Sequence, residues 1–543
     1  MMAPDNRELS ERIWRAFSYQ VPRILTQLDR DPDSPTYGSF DRDYWHYKMR
    51  DFSSMILQQG MVVLEILRTL ELPGNMLYQN PLVRKWVDAG MDFWAAQQLS
   101  NGAFNEYYPF EAGYPPTAFS LYAVGLVYME RGFPAPPPNH ANAINKAIAW
   151  LLSNQEKQAL NQEAAGLAAI AICKRIPGIV LDNDRYESRL DIFFSVQSAE
   201  GWFPEYGGPD LGYLSVTIDC LWDYYLCTKD ERGLEAATKA SRFIAVMVSV
   251  SGQTPVMINS RNTDYIVPYG LACLGRDDTK TASIVRALYG SIEKPDHFIH
   301  STDDRYACHY IHQSIARSLA HTSSLAASGF ELPCQERFDH FFTDCGVYVK
   351  HLAGKESIYV ACKKGGIVYI FSPDGVQRAD FGYRTRLSDH SIAVTHWQDD
   401  SYQVDYNASE TAARMSISGQ MSAHPFVHST PLRHIALRLL SFTFGNRLIP
   451  FLKKAMIFRA RVSKLAFSRE VIVSDCNVEI NDTFQGDPSP ISETYSASQY
   501  SLRHVASACR FSSEELLPEL EDVTEPLSSK ERRRILSLDK PLI

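Results

Sequence analysis

The chain has 543 residues, of which 45% are hydrophobic and 22% charged, with a formal net charge of −9. That length exceeds one compact domain, and that apolar content excludes a disordered chain. An acidic chain with no basic stripe lacks the electrostatic footprint of a nucleic-acid binder, so no nucleic acid is expected as a partner. The ten cysteines form no CxxC pair and no regular spacing, which excludes a zinc ribbon or a disulfide scaffold.

In chain order, Met1–Trp14 is polar and charged and has no apolar signal core. No stretch reaches the ~20 apolar residues of a bilayer span. The expectation is a cytoplasmic protein without a membrane span and with no oligomeric state specified. Residues 1–39 read as an N-terminal helical extension, and 40–335 as the main helical domain. Apolar residues recur at three- and four-residue spacing in Phe52–Leu70, Val83–Gln98, Ala118–Met129, Ala141–Leu152, Ala164–Cys173, Tyr213–Cys227 and Leu234–Val248. Short connections rich in Pro, Gly and Asn separate several of them, as antiparallel helix pairs require.

After about residue 335 the texture changes to short β-branched and aromatic runs. Val347–His351, Ser357–Cys362, Gly366–Phe371, Ala393–Trp397, Tyr402–Tyr406 and Arg469–Ile480 are separated by turns such as Ser372-Pro-Asp-Gly375. Residues 336–511 therefore read as an antiparallel β-sandwich, interrupted by a helical stretch near His434–Ala460. Residues 512–543 read as a charged C-terminal tail.

An internal repeat organises the helical half. Gln98-Leu-Ser-Asn-Gly102-Ala-Phe104-Asn-Glu106-Tyr107 matches Gln197-Ser-Ala-Glu-Gly201-Trp-Phe203-Pro-Glu205-Tyr206 at a constant offset of 99 residues. The match continues without a gap, with Glu111 on Asp210, Gly113 on Gly212 and Tyr114 on Tyr213. A repeat of this length spans about four helices and fits an α/α toroid whose loops share one rim. Those loops offer Glu106, Tyr107, Glu111, Tyr114, Glu205, Tyr206, Asp210 and Tyr213 to a ligand. The alternative is that the aromatic rings pack the hairpins while the acids cap helix N-termini.

Two further islands are polar. Ser260-Arg261-Asn262-Thr263 combines a guanidinium, an amide and hydroxyls, a set suited to a carboxylate or to sugar hydroxyls. Asn161 opens an Ala-rich helix, as an N-cap or as an amide at a cleft. The histidines are scattered. His309 and His312 lack a third ligand, so neither a metal nor a cofactor is expected. His390 and His396 lie in the β-region and could reach over the ring.

Gly102-Ala-Phe-Asn-Glu-Tyr-Tyr-Pro109, Asn161-Gln-Glu163, Glu200-Gly-Trp-Phe-Pro-Glu-Tyr206 through Tyr213, and Ser260-Arg-Asn-Thr263 resemble the heparinase II/III-like proteins. In particular they are similar to the branch associated with bacterial exopolysaccharide gene clusters. The resemblance implies an α+β multidomain chain, an incomplete (α/α) toroid followed by an antiparallel β-sandwich. It also implies β-elimination on an acidic, uronate-containing polysaccharide. By motif position Asn161 would neutralise the uronate carboxylate and Tyr213 would donate the proton. His390 or His396 would be a base from the β-domain. Arg261 and Asn262 would hold the acidic sugar beside Glu106, Tyr107, Glu111, Tyr114, Glu205, Tyr206 and Asp210. The chain departs from the family where Asn161 is followed by Gln162 in place of His. Two other readings stay open. One is an inverting glycoside hydrolase using the rim carboxylates, and the other is a non-catalytic polysaccharide-binding or assembly protein.

Overall fold

The computed structural model describes residues 5–295, 297–327, 331–387, 391–424, 428–448, 461–485, 493–496 and 531–538. Its helical half runs through α1 (Asn6–Ser18), α2 (Val21–Gln27), α3 (Arg42–Trp45), α4 (Gly60–Thr69) and α5 (Pro81–Ala96). It continues with α6 (Tyr114–Glu130), α7 (Pro138–Ser153), α8 (Leu160–Cys173), α9 (Asn183–Ser195), α10 (Leu211–Thr228) and α11 (Glu231–Met247). The last are α12 (Tyr269–Leu274), α13 (Thr279–Tyr289), α14 (Phe298–Ser301) and α15 (Tyr310–Thr322).

Burial separates these helices into two layers. α6 is buried almost all round, from Pro116 to Tyr128, and α8 at every position but Gln162. α9 is buried only at Tyr186, Arg189, Leu190 and Phe193, one stripe of its surface. A helix apolar on every side belongs inside, and one with a stripe belongs outside. The inner helices α4, α6, α8, α10, α12 and α15 each pack on the next, and α15 returns to α4. There the Gln313 amide donates to Gln59 Oε1 at 3.1 Å.

The helical half is thus an α/α toroid. It is incomplete as a run of hairpins, because α15 takes its outer cover from α1. That helix from the start of the chain is held by Asn6 Nδ2 on the Leu325 carbonyl and Arg12 Nη2 on the Gly290 carbonyl.

The repeat forms the corners of this toroid. Gln98 Nε2 donates to the carbonyls of Gly102 (3.0 Å) and Ala143 (2.8 Å), and Gln197 Nε2 to those of Gly201 and Ala236 (both 2.9 Å). Phe104 stacks on Trp94 and Phe203 on Phe193. Both glycines have left-handed φ, and a Cβ at Gly201 would lie 2.4 Å from the Lys239 carbonyl oxygen of α11. Gly201→Ala is therefore expected to cost about 3 kcal/mol, from αL strain and a backbone clash that cannot relax cheaply. Chemical denaturation followed by circular dichroism checks this. The same backbone turn recurs at Ser249–Gln253, with Gly252 against Ala287. No side chain of the repeat marks that copy.

The second half begins with five antiparallel strands in sequence order. They are β1 (Arg337–Phe342), β2 (Val347–Leu352), β3 (Ser357–Ala361), β4 (Ile367–Ser372) and β5 (Gly375–Asp380). This sheet is a middle layer. Val347, Val349, Tyr359 and Tyr369 join the core of the toroid, while Tyr348, Ile358, Val360 and Val368 face the second sheet. Burial on both faces explains why the central strands β2, β3 and β4 are largely apolar without alternation. His351 Nε2 meets the Val246 carbonyl at 3.0 Å, and Tyr359 donates to the Met247 carbonyl at 3.2 Å, which fastens the sheet to α11.

The second sheet contains β6 (Tyr383–Arg386), β7 (Ile392–Val394), β8 (Gln403–Ala408), β9 (Ala412–His424), β10 (Arg461–Ser474), β11 (Asn477–Gln485), β12 (Glu493–Ser496) and β13 (Glu531–Ser537). Their order is β12-β6-β7-β9-β10-β11-β13, with β8 also on β9. The strand β13 lies within the 512–543 segment and pairs antiparallel with β11. Of the helical interruption expected near His434–Ala460, the structure shows α16 (Pro431–Phe444), and residues 449–460 lie outside the described residues. No helix among the described residues is long and apolar enough to cross a membrane.

Candidate functional site

Because each hairpin reverses the chain, the inner helices all run in one direction and begin at one mouth. The loops before them are joined by backbone bonds. Met55 N–H donates to the Asn105 carbonyl (3.0 Å), Tyr206 N–H to that of Gln158 (2.6 Å) and Ser260 N–H to that of Pro209 (2.8 Å). The positive ends of the inner-helix dipoles gather at this rim and favour anions there.

Three successive corners of the rim supply one cluster. Asn161, in the first turn of α8, is buried; its N–H donates to Glu205 Oε1 at 2.6 Å. Its side-chain oxygen has no hydrogen-bond partner among the described residues. Tyr206 holds a left-handed φ of 53°, a strained conformation for an aromatic residue and one that concentrates at functional sites. The Arg261 guanidinium lies 4.5 Å from the Tyr206 ring centroid and 5.8 Å from that of Trp397, which comes from the β-half. Tyr213, in the first turn of α10, meets Tyr265 edge-on at 6.5 Å. Burial, with Tyr265, Tyr206 and Asp210 nearby, raises the Tyr213 hydroxyl well above the usual tyrosine range, so it stays protonated.

The β-half contributes basic groups to the same place. Lys364 Nζ is buried and donates to the Asn259 carbonyl (2.6 Å) and to Asn262 Oδ1 (2.5 Å). Burial pulls its pKa down to about 7, and Arg261 adds to that while Asp210 opposes it. His396 is buried beside Lys364 and His424, and burial lowers its pKa to about 3, so its imidazole is neutral at pH 7. The Trp397 and His424 rings stand 4.3 Å apart. His390 lies outside the described residues.

Several acids of the rim are occupied by backbone donors. Asp210 caps α10 by accepting from Tyr213 N–H (3.2 Å), and it also accepts from Arg261 N–H (3.1 Å) and the Thr263 hydroxyl. Glu111, its repeat counterpart, accepts from the N–H groups of Glu106 (2.7 Å) and Tyr107 (2.8 Å). Tyr114 does not join the cluster around Arg261. It is buried between α6 and α8, with its hydroxyl donating to Glu163 at 2.7 Å.

The first corner forms a neighbouring patch in which the Arg305 guanidinium lies 5.4 Å from the ring centroid of the exposed Tyr107. Tyr306, next to it, bears electrostatically on Tyr107, Tyr213 and Tyr265, and so links the two corners. Arg305, Tyr306 and Lys364 carry no motif and escape sequence reasoning. Glu106 is buried, and burial together with Glu111 raises its pKa to about 8. A carboxyl raised in the folded state stabilises below its unfolded pKa and loses that contribution as pH climbs through the folded value. Glu106→Gln is therefore expected to flatten the fall in stability between about pH 4.5 and pH 8. Denaturation midpoints across that range read it directly.

No family model matches the sequence, and no curated protein matches it. Among solved structures, the chain is similar to the chondroitin AC lyase of Streptomyces coelicolor A3 in complex with chondroitin sulphate. The identity is 10% and the TM-score 0.49, covering 90% of this chain and 68% of that one. It is also similar to the heparan sulfate lyase HepC of Pedobacter heparinus, at 10% identity and a TM-score of 0.40, covering 87% and 69%. A third likeness is to heparinase III, at 8% identity and a TM-score of 0.44, covering 82% and 66%.

Proposed function

We propose that this protein acts on an acidic, uronate-containing polysaccharide by β-elimination at the rim cluster, within bacterial exopolysaccharide metabolism. The observation that carries the reading is the meeting of Asn161, Tyr213 and Arg261 from consecutive corners, with His396 and Lys364 of the β-half against them. Arg261 and Lys364 offer the substrate carboxylate positive charge in a desolvated setting, where such charge acts strongly. The buried amide of Asn161 completes the neutralisation that makes the C5 proton removable. His396 is neutral and able to take that proton; the bound carboxylate raises its basicity through their mutual attraction. As the C5–H bond breaks, the C4–C5 double bond forms and the C4–O bond breaks. Tyr213 then delivers its proton to the departing glycosidic oxygen.

The backbone hydrogen bonds that Asp210 and Glu111 already accept weigh against a pair of carboxylates free for hydrolysis, which the glycoside hydrolase reading requires. The test is incubation with a panel of uronate polymers of defined linkage and with an uncharged glucan. An ultraviolet-absorbing unsaturated product is expected from an acidic polymer alone. New reducing ends without that chromophore would mean hydrolysis. Gel retardation without any product would leave a binding protein.

A further inference from the structure

α16 is amphipathic with its apolar face turned outward. Along it only Ser441 is buried and Leu437 half-buried, and these mark the side resting on the protein. The opposite side carries Leu432 (79% exposed), Ile435 (57%), Leu439 (64%) and Phe442 (70%), spaced three and four residues apart in one stripe. Exposed apolar stripes of this length are rare on soluble surfaces unless something covers them.

The charges around the stripe identify what does. Arg433 and Arg438 flank it on either side, and Arg447 follows just beyond the helix. From Thr411 to Arg469 the sequence contains no aspartate or glutamate, although the whole chain carries −9. An outward apolar stripe edged by arginine, in an acid-free stretch of an acidic protein, complements an anionic lipid surface.

We propose that the protein docks peripherally on an anionic bilayer through α16, with Leu432, Ile435, Leu439 and Phe442 in the acyl boundary. Arg433 and Arg447 stand at the level of the headgroups. The helix is braced on the rim of the toroid. The Phe442 ring meets Phe110 edge-on at 5.2 Å, Asn446 Nδ2 donates to Asn154 Oδ1 at 2.9 Å, and Arg438 pairs with Asp51. Docking therefore holds the mouth of the toroid close to the membrane surface. This placement is independent of the chemistry proposed for the mouth.

Co-sedimentation of the full chain with phosphatidylcholine vesicles, with and without phosphatidylglycerol, tests the proposal. Binding is expected to the anionic vesicles and to weaken as salt rises. The triple variant Leu432→Ser/Ile435→Ser/Leu439→Ser is expected to lower the partition coefficient at least about tenfold. Arg433→Glu/Arg447→Glu is expected to remove the preference for anionic lipid. All five side chains are exposed, so both variants keep the native circular dichroism spectrum. Failure to sediment with anionic vesicles, or equal sedimentation by the triple variant, overturns the proposal. So does a dimer lost in the triple variant without vesicle binding, which would make α16 a contact between copies. Altered polysaccharide affinity in that variant without vesicle binding would make it a lid.

Discussion

On the proposed mechanism, Tyr213→Phe is expected to abolish formation of the unsaturated product while leaving polymer affinity near its original value. The substitution removes one hydroxyl from a ring that keeps its edge contact with Tyr265, so the corner and its Asp210 cap remain. What the proposed mechanism would lose is the proton for the leaving oxygen, and loss of a positioned acid costs about 10²–10⁴ in rate. The loss falls on kcat, because the hydroxyl acts on a bond that breaks only in the transition state. The raised pKa of Tyr213 adds a second signature. A proton donor held above the usual tyrosine range keeps its proton through neutral and mildly alkaline pH, so no fall in rate near pH 10 should be traceable to it. A Phe variant retaining a tenth of the rate would remove Tyr213 from the chemistry.

The parts of this molecule that announce themselves in sequence are those built from local rules. Helical spacing locates α5 and α11 within a few residues, because each buries one stripe. Gln98 and Gln197, each with its glycine and phenylalanine, reveal the corners, because side chains close those turns. The third corner stays hidden, since at Ser249–Gln253 the same backbone bonds are accompanied by serine and Gln253 side chains in place of the repeat's glutamine and phenylalanine. The packing of α1 on α15 and the pairing of β13 with β11 join segments hundreds or tens of residues apart, and no local spacing encodes either. The site divides the same way. Asn161, Tyr213 and Arg261 stand in recognisable islands, whereas Lys364 sits in an ordinary Lys-Lys-Gly turn whose meaning comes only from docking against Asn262. Arg305 and Tyr306 precede an inner helix and acquire their neighbours only when the ring closes.

Ring closure also explains a buried charge that the apolar look of the inner helices conceals. Arg317 of α15 donates to both oxygens of Asp223 on α10, at 2.7 and 2.8 Å, and to the Tyr122 hydroxyl of α6 at 3.2 Å. Its guanidinium lies 3.6 Å from the ring centroid of Tyr269 in α12, whose hydroxyl donates to Asp223 at 3.0 Å. One pair thus ties four of the inner helices together across the lumen. Removing one partner strands the other charge in a dry interior, where the penalty exceeds what the intact pair contributes. Arg317→Met is therefore expected to destabilise the fold by about 3–5 kcal/mol, with the far-ultraviolet transition moving to lower denaturant. Adding Asp223→Leu to that variant should recover a substantial part of the loss, since no uncompensated carboxylate then remains. A single variant within about 1 kcal/mol of wild type would mean that water reaches Asp223, and that apolar packing alone holds the ring shut.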